Sequence, residues 1–280
     1  LQPSSTAQVL NRVIDGPRSD LLGTLSANGI FYLINQSGIY VGPNANISAN
    51  SIFMSTRDIS NDNFKNRIFQ FERTNDDQKD YGMVLDGKVT VAENGFGVFV
   101  AGAFVQGGYI SAAKAKMAMI AADKVRIGLS DKISVEVQES VAHQVYHPIT
   151  GEALIDQIKI NGEINGDGGE VIIDGNAIPG LFAQVINLEG YVHAASVEIG
   201  EDGRIVLLAK DNDIRLAGKV EATTIEIGDR ENGNIANNVH LDAGYVKAEK
   251  NIEIAAKNDL VTSIDLTTEN GDIDLFADYD

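Results

Sequence analysis

The sequence predicts an all-β solenoid, a rod of stacked coils built from short strands. Three observations carry this reading. Runs of three to six residues with period-two alternation recur along the chain, the pattern of half-buried strands. Gly, Asn or Asp brackets nearly every run, and the 280 residues include 28 glycines and five prolines. The spacing is also shorter and less even than the eight to twelve residues of a sandwich or barrel, and no closing signal appears before the C-terminus. At roughly 20 to 25 residues per coil and about 4.8 Å between coils, the chain would form about a dozen coils and a rod of about 50–60 Å.

The first clear element is NGIFYLINQSGIYVG, residues 28–42. Ile30, Tyr32 and Ile34 face one way, while Phe31 and Leu33 face the other. Both faces are apolar, so something must cover the outer one. Asn35-Gln36-Ser37-Gly38 places Asn first and Gly last, as a type I turn prefers, and turns the chain from strand 30–34 into strand 39–41. Stacked corners would let Asn28, Asn35, Asn44, Asn46 and Asn50 form amide ladders between coils. The polar segment 58–80 breaks the period and reads as an excursion that supplies cover, as does the segment near 139–156.

From Lys88 onward the runs are dense: KVTV (88–91), VFVAG (98–102), YISA (109–112), KVRIGL (124–129), KISVEV (132–137), IKING (158–162) and EVIIDG (170–175). YVHA (191–194), SVEIG (196–200), RIVLLA (204–209), DIRLAG (213–218), TIEIG (224–228), VHLDAG (239–244), NIEIAA (251–256) and DIDLFA (272–277) continue the pattern. SAAKAKMAMIAADK (111–124) is rich in helix formers, yet residues 116–122 read as a strand because they fall at the strand spacing. In the C-terminal runs Glu198, Glu226, Glu253, Asp265 and Asp274 sit between apolar neighbours, which predicts a bare outer face there.

Composition narrows the function. Forty acidic against 22 basic residues give a formal charge of −18, a field that disfavours nucleic acid and anionic membrane surfaces. Without cysteine, neither a disulfide framework nor a thiol nucleophile is available. The longest apolar run, FGVFVAGAFV (96–105), is too short and glycine-broken for a membrane helix of about 20 residues.

The blocks NRV (11–13), LLGTLSANGIFYLINQSGIYVGPNANI (21–47) and STRDISNDNF (55–64), in this order, resemble the N-terminal secretion domain of two-partner-secreted exoproteins. The likeness is to the filamentous haemagglutinin and high-molecular-weight adhesin family. GKVTVAENGFGVFVAGAFVQGGYISA (87–112) and INLEGYVHAASVEIGEDGRIVLLA (186–209) are similar to its later coils. The resemblance implies a right-handed parallel β-helix over 1–280, with a secretion-domain core at 1–178 and continuing coils at 179–280. It also implies export through an outer-membrane transporter whose periplasmic POTRA-type domains recognise this region. Carried over by the motif, Asn35, Gly38 and Ile39 are the partner-recognition candidates, and Asn11, Asn28 and Gly29 support the fold around them. The family's usual corner is Asn-Pro-Asn-Gly-Ile; Gln36 and Ser37 stand here at its second and third positions. A signal peptide and fuller cap would precede Asn11, and further coils would follow Asp280.

Other motifs that suggest chemistry have plainer explanations. His143 and His147 have the i, i+4 spacing of a metal pair, but the protease glutamate is missing and Pro148 would end a helix there; a loop with solvated histidines accounts for them. NGEINGDGGEVIIDGN (161–176) matches neither calcium-loop spacing and reads as a tight turn before a strand. Asp76, Asp77 and Asp80 fit a solvated acidic loop better than paired catalytic carboxylates. Phe31, Tyr32, Phe69 and Phe71 read as core or cover packing rather than a sugar platform. No nucleophile elbow, P-loop or dinucleotide fingerprint occurs.

The expectation is a non-enzymatic secretion module, with no cofactor or metal, of a large secreted or cell-surface adhesin from a Gram-negative-type bacterium. Its partners would be the transporter and a receptor or glycan on a host or neighbouring cell. A carbohydrate-active β-helix and a self-assembling surface filament are the alternatives.

Overall fold

The computed structural model describes residues 2–75, 77–130, 132–196 and 203–278. Among the described residues, three long parallel sheets hold ten, nine and nine strands. The chain visits them in rotation. Ile30–Asn35 lies in the first sheet, Ile39–Val41 in the second and Asn46–Ala49 in the third; Ser51–Ser55 returns to the first. Each circuit therefore adds one strand to every sheet, and the molecule is a parallel β-helix.

Register is strict from coil to coil. Gln8 pairs with Ile30 and Phe96 with Lys116, so a bare circuit takes 22 or 20 residues. The sheets hold nine complete circuits and the opening strand of a tenth among the described residues, a rod of roughly 45 Å. The expected dozen coils were too many because excursions consume chain: Ile52 meets Gly97 and Lys116 meets Glu170 across two long departures.

The first departure contains the short helix Asn61–Asn66, capped by the Ser60 hydroxyl on the Asn63 amide, and the strand Phe69–Glu72. The second begins at Lys124, earlier than expected. KVRIGL and KISVEV, read above as coil strands, instead form the antiparallel pair Lys124–Leu129 and Ile133–Glu139, which joins Phe69–Glu72 in a three-stranded outer sheet. Period two reports a half-buried strand but not whether its dry face lines the coil or lies upon it. Residues 116–122 resolve as expected, with Lys116–Ala121 in the first sheet. The SVEIG run and Glu198 lie largely outside the described residues.

Two apolar clusters result. Phe31, Leu33, Ile52, Met54, Phe99, Met117 and Ile173 point inward and fill the coil. Tyr32, Ile34, Phe53, Val98, Val100 and Ile120 point outward from the first sheet and are buried by Phe71, Val125, Ile127 and Ile133 of the cover. Tyr32 stacks on Phe53 at 4.4 Å, and Phe53 on Phe69 at 5.2 Å. Both faces of the opening strand are thus dry, as its sequence requires.

The outward row shows where the cover stops. It runs Tyr32, Phe53, Val98, Ala118, Ile172, Val206 and then changes to Glu226, Glu253, Asp274. These acids stack about 4.8 Å apart, which is repulsive without counter-ions. Arg204 bridges Glu170 and Glu226, and Arg230 lies 3.4 Å from Glu253, so the face beyond the cover is bare of excursions, as expected, and its acids are partly paired. Asp265 belongs to the third sheet.

The corner between the second and third sheets is a glycine spine. A Cβ on Gly108, Gly162, Gly190 or Gly218 would stand 2.0–2.2 Å from the carbonyl oxygen of the corresponding glycine one coil earlier. Only glycine lets coils approach this closely. The expected asparagine ladder does not form at Asn28, Asn35 or Asn50, whose amides bond Gln2, Pro17 with Ser19, and Ser5. Amide stacking appears later, where Asn258 donates to Asn237 at 2.9 Å.

Candidate functional site

The first coils hold all six residues singled out by the sequence. Asn35 ends its strand at a corner and is 1% exposed. Its amide nitrogen donates to the Pro17 carbonyl at 3.0 Å and the Ser19 hydroxyl at 2.9 Å, and its side-chain oxygen accepts the Ser37 N–H at 2.9 Å. The Gly38 N–H donates to the Asn35 carbonyl at 3.2 Å, closing the turn. Gly38 has φ +102°, and a Cβ there would meet Pro148 at 2.8 Å and Tyr81 at 3.1 Å, so glycine is required on both counts. Ile39 is fully buried in the inner core. Only Gln36 and Ser37, the positions that depart from the family's usual corner, retain partial exposure, and Gln36 exchanges two hydrogen bonds with Thr74 of the first excursion.

The supporting residues tie down the N-terminal segment. Asn28 exchanges hydrogen bonds with the Gln2 backbone at 2.7 and 2.8 Å, and the Gly29 N–H donates to the Gln2 side chain at 2.9 Å. Asn11 donates to the Tyr32 carbonyl at 3.0 Å. Its neighbour Arg12 pairs with Asp58 and donates to Asn61 and the Ile59 carbonyl, docking the first excursion on the first coil.

A second polar centre was invisible along the sequence. Arg57 is fully buried at the start of the first excursion and forms a two-pronged pair with Asp80 at its end, at 2.7 and 2.8 Å. The same guanidinium reaches Asp123, where the second excursion departs, at 2.9 Å, and its Nε donates to the Ala122 carbonyl at 2.8 Å. His143, within the second excursion, lies 3.0 Å from Asp80 and 3.4 Å from Asp123. Gly102 gives this clasp its space: a Cβ there would stand 2.3 Å from Asp80 and 2.4 Å from Arg57. Asp80, expected as solvated loop, is instead the clasp's innermost carboxylate, and Asp76 lies outside the described residues. His143 is engaged rather than free in solvent, and the His147 ring accepts the Ile149 and Thr150 amides at 3.2 and 3.3 Å.

Burial would raise the Asp80 pKa, but Arg57 and His143 overcome it and hold the carboxyl well below the usual range. At Asp123 burial prevails over the same cations, and the pKa rises. Asp80, Asp123 and His143 bring three ligating atoms within 4.8 Å of one another. Arg57 is paired with both carboxylates, so the clasp's chemistry is that of a buried ion-pair network.

A family model described as "TPS secretion domain", for two-partner secretion, matches residues 1–222. The chain belongs to this family. TPS membership implies a secreted exoprotein of a Gram-negative bacterium and an outer-membrane transporter partner. The HMW1 secretion domain from Haemophilus influenzae superposes with a TM-score of 0.70 at 22% identity, covering 98% of this chain and 87% of that one; it supports the fold. A heme/hemopexin-binding protein of Haemophilus influenzae is 33% identical over 78 residues, 28% of this chain and 8% of that protein. The namesake protein of strain Rd is 36% identical over 58 residues, 21% of this chain and 6% of that protein. The matched parts of this TPS chain thus span a small fraction of the relatives' length.

Arg57 could have drawn notice as a lone cation after the run SIFMST, but the other clasp residues, Asp80, Asp123 and His143, are 23, 66 and 86 residues distant in sequence. No local spacing rule joins them.

Proposed function

We propose that this chain is the N-terminal secretion module of a large exported protein of adhesin or haemagglutinin type and catalyses no reaction. The transporter's periplasmic POTRA-type domains engage the segment around Asn35, Gly38 and Ile39 while it is still open chain. Closing the first coils outside the cell then buries the corner and frees the partner. The closed coils present a strand edge on which each following strand pairs, so the module templates the rest of the rod. In the mature protein the rod forms the base of an adhesive fibre that meets a receptor or glycan on another cell.

The burial of all three candidate residues carries this reading. A partner that read the finished fold would find Gln36 and Ser37 at this corner instead. Asn35→Ala deletes three hydrogen bonds and is expected to cost about 1–3 kcal/mol, leaving the purified domain folded. Its secretion by the cognate transporter should nevertheless fall at least tenfold, while Gln36→Ala is secreted normally. Unimpaired secretion of Asn35→Ala, measured by quantifying protein in the medium, would remove the corner from partner recognition.

A further inference from the structure

The outer face of the third sheet carries an ordered aromatic row. Register places Lys88, Tyr109, Glu163, Tyr191, Lys219 and Tyr245 one above another in six successive coils. Tyrosine recurs at every second coil, about 9.6 Å apart at the ordinary strand separation. The intervening positions carry an acid or an amine, giving alternate apolar platforms and hydrogen-bonding groups.

These rings are held by neighbouring side chains. The Tyr191 ring stacks on His193 at 4.6 Å, and His193 is fixed between Asp167 at 2.9 Å and Glu163 at 3.2 Å. The Tyr191 and Tyr245 hydroxyls both donate to Glu221, at 3.0 and 3.4 Å. The ammonium groups of Lys88 and Lys219 stand 5.7 and 5.9 Å from the Tyr109 and Tyr245 ring centres. Beside the row runs the glycine spine, whose missing side chains leave a shallow trough of about 450 Å³ edged by Asn161, Glu163, Glu189, Tyr191 and Lys219.

We propose that the tyrosine row, together with the trough beside Tyr191, binds an extended, neutral, β-linked polysaccharide lying parallel to the rod axis. A pyranose presents an apolar C–H face and a rim of hydroxyls, which suits a surface of apolar platforms with a few placed polar groups. In an extended β-1,4 chain alternate sugars face the same way, and their separation is close to two coils. Alternate rings therefore stack on Tyr109, Tyr191 and Tyr245, while the sugars between them meet Glu163 and Lys219. Fixed tyrosines reduce the ordering lost on binding. The net charge of −18 opposes polyanions, and this face offers no free strand edge to a peptide because its strands pair on both sides.

The test is titration of the intact 280-residue chain with cello-oligosaccharides of two to six sugars, followed by calorimetry, with heparin as the anionic comparison. Affinity should rise stepwise with each added disaccharide, and heparin should not bind. Tyr191→Ala and, separately, Tyr245→Ala should each weaken cellohexaose at least tenfold, while Tyr40→Ala on the second sheet leaves it unchanged. Length dependence requires no variant, so the proposal stays testable if a substitution impairs folding. No binding of cellohexaose, binding independent of length, indifference to both tyrosine changes in folded variants, or preference for heparin would each overturn it.

Discussion

Arg57→Ala is expected to destabilise the domain by about 3–5 kcal/mol, the cost of stranding a buried ionic partner. The substitution leaves Asp80, 4% exposed, without its two-pronged cation and leaves Asp80 and Asp123 facing each other. It also removes the donor to the Ala122 carbonyl. The clasp fastens both excursions, so their release should uncover the Tyr32, Phe53 and Val98 face. Urea unfolding at pH 7 gives the free energy, and limited proteolysis should show earlier cleavage in residues 60–79 and 140–156. A loss below about 1 kcal/mol, with unchanged proteolysis, would mean that apolar packing alone holds the cover.

The clasp also has a pH signature. Because the folded Asp80 pKa is lowered, its stabilising contribution is present above its ordinary value near 4 and is lost as pH falls below that. Arg57→Ala removes the main cation opposing the burial penalty, so this acid-side loss should disappear from the variant.

Asp174→Asn is expected to act in the opposite direction. Asp174 lies in a second outward row of the first sheet, between Ile120 and Leu208, is 1% exposed, and accepts a 2.6 Å hydrogen bond from Asn176. Burial pushes its pKa up to about 7 despite hydrogen bonds from Asn176 and Asn234. Between the ordinary carboxyl value and the raised one, the unfolded chain has lost a proton that the folded group still holds, so stability falls as pH rises. The contribution is complete near pH 4 and disappears as pH rises through about 7. Above that range the folded protein carries a buried charge costing up to about 4 kcal/mol relative to the acid side. Asn cannot ionise, so the variant should gain stability over the parent as pH rises from 4 to 8, then level off. A pH-independent difference in urea midpoints would show that Asp174 titrates normally.

What the sequence revealed depended on the range of the interaction. Alternation at 30–34 exposed two dry faces, and the Asn35–Gly38 turn was legible because its hydrogen bonds span two and three residues. The strand at Lys116–Ala121 was recoverable from spacing despite its helix-forming composition. KVRIGL and KISVEV were placed wrongly because inner and outer strands obey the same alternation. The coil count failed with them, since residues taken for coils belonged to the cover. Arg57, Asp80, Asp123 and His143 meet only after two excursions fold back, and the ionisation of Asp174 depends on burial by residues from other coils. The glycine spine was visible as scattered turn residues, but its meaning lies in contacts one coil away.

Transporter dependence of secretion is the most direct test of the account. The 280 residues, preceded by an export signal and an N-terminal cap, should be expressed with and without a TPS transporter from the same source, and the medium and periplasm assayed. The account predicts protein in the medium only when the transporter is present. Retention in the periplasm beside a working transporter, or equal release without one, would contradict it.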